Sequence, residues 1–184
     1  GLYVFPSSAD TLKIISNDVD DNGTGTTGAL TIKVQGLDAN YDAIEEDFTL
    51  NGQTAVTGNK EFLRVYRAFV TSAGSSEYNE GVITINNSDD SLTLATIPAE
   101  EGQTQMAIYT VPRNHKAYLT NLSGAIVKGA GAATSADIHY YSRDKNGVRR
   151  LHQQISLDST GTSEFNKTYP IPLSFEEETD LYAQ

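Results

Sequence analysis

The stretch Asp137–Leu157, DIHYYSRDKNGVRRLHQQISL, reads as two strands around a turn. Ile138 and Tyr140 face away from His139 and Tyr141. Beyond the turn, Leu151, Gln153, Ile155 and Leu157 alternate with Arg150, His152, Gln154 and Ser156. A period of two sends successive side chains to opposite faces of a sheet, whereas a helix repeats near 3.6. Asn146-Gly147 lies between the two runs, and this dipeptide tolerates the left-handed backbone that hairpin turns use. The stretch therefore predicts a hairpin joining Asp137–Arg143 to Val148–Leu157.

The same alternation recurs through the chain. Leu30, Ile32 and Val34 alternate with Thr31, Lys33 and Gln35. Leu63, Val65 and Arg67 oppose Arg64, Tyr66 and Ala68 in a run ending near Val70. Ile83 and Ile85, Leu92 and Leu94, and Met106, Ile108 and Thr110 repeat the pattern. Asn51-Gly52, set between Phe48–Leu50 and Gln53–Val56, predicts a second tight hairpin. Loops are expected at Gly23–Gly28, Ser72–Gly81 and Gly129–Ser135, where Gly, Ser, Thr and Asn cluster. About a dozen short strands separated by turn signals predict an all-β fold, an antiparallel β-sandwich or jelly roll. Pro98–Gly102 has turn chemistry and no large apolar side chain. It marks either a boundary between a unit at 1–98 and one at 99–184, or a crossover inside one continuous domain. Glu176–Thr179 is read as one helical turn or a turn before a last strand.

Composition narrows the function. The 184 residues contain no cysteine, so disulfides and thiolate–metal sites are excluded. The net charge of −11 disfavours nucleic acid as a partner. No apolar run approaches the ~20 residues of a membrane helix. No signal-peptide pattern opens the sequence.

The best local motif for chemistry is Asp18-Val19-Asp20-Asp21-Asn22-Gly23. Oxygen ligands Asp18, Asp20 and Asn22 at alternate positions before a glycine resemble the opening of a calcium loop. The bidentate Glu such a loop needs falls at Ala29. The competing reading is an acidic turn. His139 and His152, on paired strands, would need Asp137 or Asp144 to complete a metal site. No G-x-S-x-G elbow or phosphate loop is present, and adjacent acids such as Glu45-Glu46 point to opposite faces of a strand. Asn121-Leu-Ser123 and Asn166-Lys-Thr168 fit the glycan acceptor pattern, which has meaning only in a secretory setting. No catalytic or cofactor-binding residue is expected, and the chain is not expected to be an enzyme.

A wider pattern carries a resemblance. GLDANYD at 36–42 is followed by FTLNGQTAVT at 48–57, FLRVYRAFVTSAG at 62–74 and GVITI at 81–85. GQTQMAIYTVP at 102–112 then leads into KAYLT at 116–120. This order, over nearly the whole chain, resembles a family of largely uncharacterised virion structural proteins of tailed, often marine, phages. Where that family has a small Ala/Thr-rich loop, this chain has Asp18–Gly23. Its members also extend on both sides, so the resemblance implies either that this chain is a fragment of a longer product or that its ends are disordered. The resemblance implies location in the virion, in a capsid-associated role (decoration or minor capsid) or at the head–tail junction. It implies a homo-oligomer whose partners are copies of itself or the major capsid protein. The alternative is a host-recognition or carbohydrate-binding β module on a tail or head fibre.

Overall fold

The computed structural model describes residues 3–127, 135–160 and 164–184. Those residues form thirteen strands and no helix, and every strand pairing is antiparallel. The chain divides into two compact units, 1–106 and 107–184.

The first unit holds β1 (Asp10–Ser16), β2 (Ala29–Leu37), β3 (Ala43–Thr49), β4 (Val56–Phe62), β5 (Arg64–Ala73), β6 (Ile83–Asn87) and β7 (Thr93–Ile97). They make one sheet in the order β4-β1-β6-β7 and another in the order β3-β2-β5. Leu12, Ile14, Ile83, Ile85 and Ile97 from the first sheet share one core with Ile32, Val34, Phe48 and Val65 from the second. This is a two-layer antiparallel sandwich. Each such side chain contributes about 1.5–3 kcal/mol when fully buried. Its seven strands are one short of the eight of a jelly roll.

The expected alternation holds where strands are regular and breaks at bulges. In β5, Val65 and Ala68 are buried and Arg67 is exposed, so Val65 and Arg67 do not share a face. Gln35 opposes Arg67 while Gly36 opposes Val65, which leaves Tyr66 as an extra residue that shifts the phase.

Asn51-Gly52 is a turn but not a hairpin. β3 pairs with β2 and β4 pairs with β1, so the turn carries the chain from one sheet to the other. Gly52, at φ 57°, donates its amide to Asp21 O and accepts from the Ser16 amide. The local signal was sound for the bend, but pairing is settled by which neighbour buries each strand.

The division between units falls after Met106 and not after Pro98. Residues 99–106 are stitched to the first unit by backbone bonds from Glu100 N to Asn79 O, Val70 N to Gly102 O and Thr104 N to Ala68 O.

The second unit holds β8 (Ile108–Thr110), β9 (Ala117–Ala125), β10 (Ser135–Arg143), β11 (Arg149–Asp158), β12 (Glu164–Phe175) and β13 (Asp180–Ala183). Its sheets run β11-β10-β13-β8 and β12-β9. Val111, Tyr140, Phe175 and Leu181 form its core, with Leu119, Leu122 and Leu173 packed against them. Glu176–Thr179 is a turn before the last strand, with Glu178 at φ 60°.

The hairpin at Asn146-Gly147 is present, joining β10 to β11. Only Gly147 has positive φ, at 80°, and its amide donates to Asp144 O. The connection is thus a three-residue loop, Lys145-Asn146-Gly147, with glycine in the left-handed position.

Candidate functional site

Asp21 organises the acidic loop. It is fully buried. Its Oδ1 accepts the amides of Ala29 and Glu80, both at 2.9 Å. Its Oδ2 accepts the Gly81 amide at 2.9 Å and the Ser16 hydroxyl at 2.6 Å. One carboxylate thereby ties the end of β1, the start of β2 and the loop after β5. Two of the three residues expected to bind calcium accept bonds inside the turn. Asp18 Oδ1 accepts the Asp20 amide at 2.9 Å. Asn22 Oδ1 accepts both the amide and the hydroxyl of Thr24, at 3.1 and 3.0 Å. Among the described residues, no group of three or more His, Asp or Glu side chains could hold a metal ion. Asp18 and Asn22 thus serve the turn itself, and Asp20 is exposed. The turn exists to point Asp21, the carboxylate outside that set, into the fold.

Backbone bonds also join two of the expected loops. Gly74 N donates to Gly28 O, Ser75 N to Thr26 O and Ser76 N to Thr27 O. Loops 18–28 and 72–81 therefore form one face. The third expected loop, 129–135, lies outside the described residues except for Ser135, which opens β10.

The histidines do not converge on a metal site. His139 opposes Gln154, while Tyr140 opposes Gln153 and Tyr141 opposes Leu151. His152 is the extra residue of that bulge. The shift turns Leu151 outward, 51% exposed, and brings the His152 ring edge-on to Phe175 at 5.2 Å. Nε2 of His152 lies 2.7 Å from the Ser142 hydroxyl. Burial, and then the Arg150 charge, push the His152 pKa down. Asp137 accepts the Ser156 hydroxyl and Asp144 pairs with Arg150. Ser142 is buried between β11 and β13, a packing contact and not an exposed nucleophile.

A charged group is also buried here. Asp180 accepts Nε and Nη2 of Arg143 at 3.0 and 2.6 Å, and Thr110 Oγ at 2.7 Å. It joins β8, β10 and β13, and its full set of bonds compensates desolvation. Nearby, burial and then Tyr169 push the Tyr140 phenol up to about 12.

The ribbon β9–β12 presents a different surface. Thr168 opposes Asn121, but Leu173 opposes Leu119, so Tyr169-Pro170-Ile171-Pro172 bulges from the ladder. Proline has no amide to donate, which ends pairing there. Ile171 is left 85% exposed and, on β9, Tyr118 is 62% exposed. Leu119, Leu122 and Leu173 pack inward, which seats the ribbon on its core. Ile171 is thus an apolar side chain held outward between two prolines. Sequence reading missed this segment because Pro-Ile-Pro interrupts the alternation; its flanking prolines were the available signal.

Compared with known families, curated proteins and solved structures, the chain matches none.

Proposed function

We propose that this chain is a structural protein of a tailed-phage virion that works through protein–protein interfaces. It sits on the capsid, as a decoration or minor capsid protein, or at the head–tail junction. Its partners are neighbouring copies of itself or the major capsid protein, in a symmetric arrangement. The observation that carries the reading is the Pro170-Ile171-Pro172 bulge, an apolar contact point displayed on an antiparallel ribbon. The sequence resemblance supplies the setting.

Quantitative mass spectrometry of gradient-purified particles from the encoding phage tests this. A copy number near that of the major capsid protein supports the shell role, and a few copies per particle support the junction. Absence from clean particles overturns the proposal.

A further inference from the structure

Three Asn-Gly pairs occur in this chain: Asn22-Gly23, Asn51-Gly52 and Asn146-Gly147. Such pairs are prone to one reaction. The glycine amide nitrogen attacks the Asn side-chain carbonyl carbon, a new N–Cγ bond forms, and the Cγ–Nδ2 bond breaks with loss of ammonia. Water then opens the cyclic imide at either carbonyl, leaving aspartate or isoaspartate. Glycine favours the attack because no Cβ crowds the nitrogen. A folded chain slows it wherever that nitrogen is held and cannot open locally.

The three pairs differ in how they are held. Gly52 is buried, its amide donates to Asp21 O, its carbonyl accepts from Ser16, and Val19 packs 3.0 Å from where a Cβ would stand. Gly23 donates to Leu50 O, Asn22 and Asn51 form a β-bridge, and Thr49 crowds the same side. Freeing either amide means parting the Asn51-Gly52 turn from the acidic loop, which backbone bonds and the Asn22–Asn51 bridge hold together. Asn146 and Gly147 are both exposed, with open space around Gly147. Its amide donates only as far as Asp144 O, inside the same turn. Opening this turn disturbs no other strand.

We infer that Asn146-Gly147 is a deamidation site, and that the fold confines the reaction to this one of the three pairs. The product adds a carboxylate two residues from Asp144. The isoaspartate form also lengthens the backbone inside the turn that sets the β10–β11 register.

The test incubates the folded protein and a urea-denatured sample at mildly alkaline pH. Digestion with a protease that cuts before aspartate separates the three unreacted pairs into peptides 21–37, 47–88 and 144–157, and a new cut before residue 22, 51 or 146 reports the aspartate product. Fragment-ion mass spectrometry locates the acid gain, and Asn146→Ser excludes Gln153 and Gln154 as its source. Asn146 is expected to react in the folded protein within a few-fold of its denatured rate. Asn22 and Asn51 are expected to react at least about tenfold slower than denatured, the ratio of a local opening costing about 1.4 kcal/mol. Equal rates at all three folded sites, or an Asn146 as protected as the others, would overturn the inference.

Discussion

Asp21 and Gly81 are sixty residues apart in sequence and 2.9 Å apart in space, the Gly81 amide donating to the buried Asp21 carboxylate. Charge-assisted bonds of this kind contribute about 1.5–3 kcal/mol each. Asp21→Asn turns an amide group toward the backbone amides of Gly81 or of Ala29 and Glu80, which need an acceptor. A loss of about 3 kcal/mol or more is expected, read as a lower urea midpoint for the first unit. Asp18→Asn, half-buried in the same turn, should cost under about 1 kcal/mol. Equal losses at the two positions would sink the staple reading.

Asp180 is almost wholly buried and paired with Arg143. Removing one partner of such a pair leaves an uncompensated charge, so Arg143→Met should cost about 3–5 kcal/mol. Combining it with Asp180→Leu should recover a large part of that loss. Thermal unfolding of the two singles and the double checks this.

His152 titrates below its ordinary 6.5 in the folded chain because it is buried and faces Arg150. Near and above 6.5 the neutral ring is accommodated in both states. As pH falls through 6.5, the unfolded chain takes up the proton first, so stability declines, and it levels off below the folded pKa. Urea midpoints of the wild type and His152→Gln should converge as pH is lowered across that window. A constant gap between them would count against the reading.

Tyr169 carries a buried hydroxyl with no hydrogen-bond partner among the described residues. Tyr169→Phe removes an unsatisfied polar group and should be neutral or slightly stabilising. Ser142→Ala deprives His152 of its partner and should cost about 1–3 kcal/mol. Differential scanning calorimetry separates the two.

Ile171 is exposed enough that Ile171→Asp should change stability by no more than about 0.5 kcal/mol. On the proposed interface role, the same change lowers incorporation into particles. Unchanged incorporation would remove the bulge from the interface.

The all-β class and its antiparallel character were legible from alternation alone, and so was the hairpin between Arg143 and Arg149. Period-two patterning and turn dihedrals are set by neighbouring residues, so a single stretch carries them. Partner choice is not local. Asn51-Gly52 bends the chain as its residues dictate, yet β3 and β4 part to different sheets because each buries its apolar face beside another strand. Bulges hid the rest: one extra residue at His152 exchanges the faces of Leu151 and His152, a change no alternation count contains. Asp21 was one acid among several in Asp18–Gly23 until folding brought Ala29, Glu80 and Gly81 to it. The sequence by itself determined what each segment prefers to be. Only the tertiary structure decided which segments meet and which carboxylate is buried, because those depend on contacts between residues far apart in the chain.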